Sequence, residues 1–301
     1  MEELQIGMVG MDTSHSRIFA ALLNDSSHPL HIPGGRLHCG YPGGSPDFEL
    51  SYLRVKPISS ELQERYGVEL LNSIEEVAER SHAILLTSVD GRVHKEQFAV
   101  LAPYRKPVFI DKPLAVTFED AKAIVELAER YGTPFFSSSM VRFGEPLVAL
   151  LKDDTAGTIL GADCSGPLDL QPTQPGLFWY GIHSAEMLYT ALGEGCQSVR
   201  AVGNNTQEWI VGQWKDGRIG TIRGNRTGAS DFYIVLHRER GSNGINALGA
   251  NYNAGHQQLL KNFIAMARGD APPVRPSLTL ELIRFIEAAN ESRISGANVR
   301  L

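Results

Sequence analysis

Asp111-Lys112-Pro113 closes one apolar run, Pro107-Val108-Phe109-Ile110, and Gly181-Ile182-His183 opens another. Both contexts put a reactive side chain where chemistry is done. A lysine at the carboxyl end of a buried parallel strand stands on the edge where open α/β sheets bind ligands. Pro113 ends the strand there, and Asp111 is placed to orient the ammonium. A histidine at the start of an apolar helix, His183, accepts or releases a proton near neutral pH. A cation for a developing alkoxide and a base for the hydroxyl proton are together what hydride removal from a carbinol requires.

The turn after the first apolar run, Gly10-Met11-Asp12-Thr13-Ser14-His15, is the third candidate. A helix N-terminus with open backbone amides is a phosphate site, and its dinucleotide-binding form is G-x-G-x-x-G. Only Gly10 of that pattern is present. Asp12 stands where a pyrophosphate approaches, and His15 where helix and strand pack closely. The turn reads either as a phosphate cradle or as an ordinary α/β turn in which Asp12 or Thr13 caps the helix. The end of the second strand, Leu37 to Pro42, lacks the acidic residue that binds an adenosine ribose, and no carboxylate follows until Asp47. NAD and NADP both stay open, with Arg36 and Gly43-Gly44-Ser45 as candidates for a 2′-phosphate.

These residues need a scaffold, and the pattern around them supplies one. Leu4 to Val9, Arg36 to Tyr41, Ala83 to Thr87, Pro107 to Ile110 and Phe135-Phe136 read as short buried strands. Helices are predicted at 61–66, from Ser73, at 95–101 and at 117–131. The alternation implies a Rossmann-type parallel sheet with helices on both faces over 1–135. Beyond that, strand-like runs at 198–202, 208–214, 219–223 and 231–236 follow one another, with helices at 183–192, 256–267 and 278–292. The second domain, 136–301, is predicted as α+β with an open, largely antiparallel sheet.

Composition narrows the classes. The 301 residues are 43% hydrophobic and 21% charged, with a formal charge of −6. Such a chain folds rather than staying disordered, and its acidity argues against nucleic acid as a partner. No run approaches the ~20 apolar residues of a membrane span. Three scattered cysteines, no CxxC, and histidines without H-x-x-x-H spacing argue against disulfides and metal and for a reduced, cytoplasmic protein.

The run Lys106 to Ala115 resembles the strand-end E-K-P or D-K-P motif of the Gfo/Idh/MocA oxidoreductases. Tyr66-Gly67-Val68, Ser73 to Val77, the strand 83–88, His94, Ala128 to Pro134 and Arg142-Phe143 keep that family's order. Gly181 to Leu188 is similar to its G-x-H-x-x-D helix start, and Gln213 to Gly217 to its W-x-d-G hairpin. The resemblance implies an NAD or NADP cofactor, a small sugar-like or polyol substrate, and a homo-oligomer. It makes Lys112 and His183 the catalytic pair. Gly10, Met11, Asp12, Thr13, Ser14, His15, Tyr41, Ser88, His94 and Asp111 are the expected cofactor contacts, and Arg142, Trp179 and Tyr180 the expected substrate contacts. Other readings stay open: His94 as a structural cap, Arg142 as an interdomain ion-pair partner, Glu186 as an exposed helix residue, Trp179 and Tyr180 as packing. Trp179 also stands where the family often has an aspartate four residues before the histidine. With the sparse glycines, that departure leaves two alternatives to a dehydrogenase: a ligand-binding or regulatory relative without redox activity, and an NAD-dependent hydrolase or lyase.

Overall fold

A computed structural model describes residues 2–301. The chain divides into two compact units: 1–115, 119–138 and 256–276 form the first, and 116–118, 139–255 and 277–301 the second. The first unit thus takes a C-terminal segment that a division at 135/136 leaves in the second.

The first unit holds six parallel strands: β1 (Leu4–Val9), β2 (Gly35–Tyr41), β3 (Glu69–Leu70), β4 (Ala83–Leu86), β5 (Val108–Ile110) and β6 (Phe135–Ser137). They lie in the order β3-β2-β1-β4-β5-β6, so the direction of winding reverses at β1. Ala83-Ile84-Leu85-Leu86 and Val108-Phe109-Ile110 are wholly buried, as strands covered on both faces must be. The crossovers are α1 (Ser14–Asn24), α2 (Glu49–Tyr66), α3 (Ile74–Arg80), α4 (His94–Leu101) and α5 (Phe118–Tyr131). Ser73 caps α3: its hydroxyl accepts from the Glu76 amide at 3.2 Å, and the Glu76 carboxylate reaches back to accept from the Asn72 amide at 3.0 Å. The helix predicted at 61–66 begins earlier, at Glu49, and runs through Pro57.

The second unit holds α6 (Glu145–Lys152), α7 (Gly181–Leu192) and a seven-stranded sheet. Its strands are β7 (Ile159–Pro167), β8 (Cys196–Gly203), β9 (Gln207–Trp214), β10 (Ile219–Asn225), β11 (Tyr233–Arg238), β12 (Gly241–Asn246) and β13 (Val299–Arg300), in the order β12-β11-β7-β10-β9-β8-β13. All pairings are antiparallel except β10 with β7. Residues alternate: Glu208, Ile210, Gly212 and Trp214 face in, Trp209 and Gln213 out. Helix α7 lies close on the inner face because Gly220 has no side chain; a Cβ there would sit 2.7 Å from the Leu188 and Leu192 methyls. Helices α8 (Tyr252–Ala267) and α9 (Pro276–Ser295) complete the chain.

Candidate functional site

The first cluster lies at the carboxyl edge of the parallel sheet, around the switch in winding at β1, where open α/β folds bind ligands. Gly10 makes the turn with φ +87°, and a Cβ there would meet the Ser88 backbone nitrogen at 2.4 Å. Thr13 caps α1, accepting weakly from the His15 amide at 3.4 Å. The Thr13 and Ser14 amides have no hydrogen-bond partner among the described residues. Two open amides at a helix N-terminus, under the positive end of its dipole, are a donor set that fits a phosphate.

The acidic residue in this turn is engaged elsewhere. Asp12 is fully buried, accepting from the Ser51 hydroxyl at 2.6 Å and the Val89 amide at 2.9 Å. Burial pushes its carboxyl above the ordinary value, against the pull of those two hydrogen bonds. Ser51, in the first turn of α2, in turn accepts from the Ser45 amide at 2.8 Å, so one carboxylate ties the Gly10 turn to the Val89 loop and to the start of α2. Met11 is buried with its methyl over Gly40, where a Cβ would come within 2.3 Å. That contact leaves no room for any side chain at Gly40. Tyr41 ends β2, and its carbonyl accepts from Gly10 at 3.0 Å. Asp47 is bound by both terminal nitrogens of Arg92, at 2.8 and 2.9 Å, and Arg92 also grips Asp90.

Ser88 is buried and donates to Gln97 at 2.9 Å. His94 is fully buried, with Nε2 at 2.8 Å from the Ser88 carbonyl and Nδ1 at 3.0 Å from the Pro113 carbonyl. Its ring ties the Ser88 and Pro113 loops together and faces backbone at both nitrogens. Lys112 is half-buried, and the Lys112–Pro113 peptide is cis. Burial pulls its ammonium below the usual lysine range, opposed by Asp111. Burial alone would raise the Asp111 carboxyl; His15, at 2.6 Å, and Lys112 outweigh it and hold it at about 2.

The second cluster belongs to the other unit. Ser139 precedes the tight turn 140–143, accepts from the Val141 amide at 3.2 Å, and lies 2.7 Å from His183 Nδ1. His183 is buried in the first turn of α7, between the rings of Tyr180 (5.6 Å) and Phe232 (5.2 Å). Trp179 and Tyr180 contact each other edge to face. Arg142 bonds through Nε to Glu186, one turn along α7 from His183. Glu186 is therefore a buried ion-pair partner, not an exposed helix residue, and the pair lies within one unit rather than between domains. The Arg142 Nη2 is buried with no hydrogen-bond partner among the described residues. Ser139, Ser51 and Arg92 were not singled out in the sequence. Their partners lie 44, 39 and 45 residues away, and nothing local marks such contacts.

Among the described residues no group of three or more His, Cys, Asp or Glu side chains is placed to hold a metal ion, and no helix is long and apolar enough to cross a membrane.

A winding reversal at β1, open amides at the following helix and a lysine on the sheet edge define a Rossmann-type protein with a second, open-sheet domain. Residues 47–138 match the GFO_IDH_MocA model, described as an oxidoreductase family with an NAD-binding Rossmann fold. The whole chain superposes on solved structures. A probable dehydrogenase from Thermotoga maritima matches at TM-score 0.82 and 19% identity, over 99% of this chain and 98% of that one. The scyllo-inositol dehydrogenase from Lactobacillus casei with bound NAD(H) and scyllo-inositol matches at 0.81 and 15%, over 99% of each. At such identities the likeness shows the fold. A curated relative, the 2,7-anhydro-N-acetylneuraminate hydratase of Escherichia coli (strain K12), is 20% identical over 185 residues, 52% of this chain. The chain spans about half the length of that relative.

Proposed function

We propose that this protein is an NAD(P)-dependent dehydrogenase or reductase of a sugar-like polyol, in which Lys112 holds the reacting oxygen and His183 exchanges its proton. The observation that carries the reading is the lysine: half-buried at the end of β5, its ammonium pulled down by burial yet beside an ionised carboxylate. Such a group stabilises a developing alkoxide better than a solvated lysine does. When bound, a nicotinamide supplies the acceptor or donor of the hydride. The open Thr13 and Ser14 amides would hold its pyrophosphate, with Gly10 shaping the turn and Met11, Asp12, Tyr41, Ser88 and His94 bracing the loops behind it. Ser139 holds His183 Nδ1 and so fixes the ring for proton exchange with substrate. Arg142 offers Nη2 to a substrate hydroxyl, and Trp179 and Tyr180 offer aromatic faces to its C–H side. The resemblance to that family further supports a homo-oligomer, and three free buried cysteines support a cytoplasmic setting.

Calorimetric titration with NADH and NADPH, followed by initial rates on inositols and aldoses, tests the reading. One cofactor is expected to bind, and Lys112→Ala to lower kcat/KM by about 1000-fold, within the range for removing a charge-stabilising group. Binding of neither cofactor, or wild-type turnover in the variant, overturns it. The hydratase relative favours one second reading, in which transient oxidation acidifies a neighbouring C–H and water is added or eliminated with no net redox change. Loss or gain of water by the product without accumulation of reduced cofactor selects it.

A further inference from the structure

We propose that His15 is a positioning residue for Lys112, locking the lysine turn to the first turn of α1 through Asp111. The proposal rests on the dehydrogenase reading for what Lys112 does, but its geometry stands apart from that reading.

His15 occupies the place of the last glycine in the usual phosphate turn. Its side chain is mostly buried and reaches Asp111, 96 residues away along the chain, placing Nδ1 2.6 Å from Oδ2. A carboxylate held ionised only accepts, so the proton in that contact lies on Nδ1. The other oxygen, Oδ1, accepts the Lys112 backbone N–H at 2.8 Å. A continuous chain therefore runs from the helix that opens the phosphate turn, through one imidazole and one carboxylate, to the backbone of the proposed catalytic lysine.

The ring is held on its other sides. Phe19, one turn on in α1, lies 5.8 Å from it, and His256 of α8 meets it edge on at 4.9 Å. The ionisable groups facing the pair are Lys112 from the β5 turn and His256 from α8.

Were the residue there only to fill space, a ring of similar size would replace it; were it there to hold Asp111, a donor at the Nδ1 position would. His15→Phe keeps the packing and removes the donor, whereas His15→Asn places an amide N–H near the position of Nδ1. Two measurements read the difference. In cofactor-free protein, the ¹³C-carboxyl NMR titration of Asp111 is expected to move up by at least about one unit in His15→Phe, because burial is then less opposed, and to return toward the wild-type midpoint in His15→Asn. With polyol and cofactor, kcat of His15→Phe is expected to fall about 10- to 100-fold, as for a lysine displaced by a fraction of an ångström. KM for the polyol is expected to stay within about 3-fold, and His15→Asn to regain most of the rate. An unmoved Asp111 midpoint, or a His15→Phe enzyme with wild-type kcat, overturns the proposal. The NMR arm needs no turnover: a shifted midpoint beside a wild-type protein that oxidises no polyol defeats the dehydrogenase reading and leaves the His15–Asp111 link intact.

Discussion

Two buried aspartates in the first unit respond to burial with opposite outcomes. Asp111 has His15 and Lys112 against it, and its folded value of about 2 lies below the ordinary carboxyl. Asp12 has only neutral donors within hydrogen-bond distance, and its value is raised. A depressed carboxyl stabilises the fold above its unfolded value near 4 and loses that contribution as pH falls toward 2. A raised carboxyl penalises the fold above its folded value and relieves that penalty as pH falls. The Asp111 contribution is on the order of 2 kcal/mol at neutral pH. Asp111→Asn should therefore lower the urea midpoint at pH 7 and flatten the loss of stability between about pH 4 and 2. Urea titrations at several pH values check this; an unchanged acid slope would remove the ion pair from the account. Lys112, His183 and the Gly10 turn were legible in the sequence because each sits at the end of an apolar run. Ser139, which meets His183 Nδ1, was not, because a neutral hydroxyl in a serine run carries no local mark.

At the scale of elements, local signals worked where local physics decides. Ser73 and Glu76 announce the start of α3, and the structure pairs them with the amides of Glu76 and Asn72. Ser73→Ala should cost about 1 kcal/mol, the usual value of an N-cap, read as a shift in urea midpoint at constant slope. No shift would mean that the helix start is held by tertiary packing alone. The parallel strands were legible as apolar runs too short for helices. The start of α2 was not, because Pro57 argues for a break, and the structure carries the helix through it. Strand β7 was missed for another reason. Gly161, Asp163, Gly166 and Pro167 interrupt any apolar pattern, yet β7 is central, pairing with both β10 and β11. Gly166 is small there because a Cβ would meet the Ser184 hydroxyl of α7 at 2.6 Å. Strand β12, Gly-Ser-Asn-Gly-Ile-Asn, is an edge with little to bury, so periodicity does not mark it.

At the scale of the molecule, two features escape any reading along the chain. The return of 256–276 to the first unit is one: it is fixed by packing against residues more than 200 positions away, such as the Arg268 bond to the Gly34 carbonyl. The outer face of the second sheet is the other. Register places Val202, Trp209 and Arg223 side by side on β8, β9 and β10, with Arg223 stacked over the Trp209 ring at 5.5 Å. Tyr233 and Ile219 are also exposed large apolar residues of this sheet. Apolar side chains spread over neighbouring strands, with Asp163 and His237 joined at 2.7 Å among them, make this the face that the proposed homo-oligomer would bury. On the homo-oligomer reading, Trp209→Glu puts a charge at the centre of that contact and removes the ring on which Arg223 rests. Because Trp209 is exposed and makes no part of the core, the variant should keep its fold by circular dichroism while its mass by light scattering falls to that of one chain. A variant that folds and keeps its oligomeric mass would move the interface off this face.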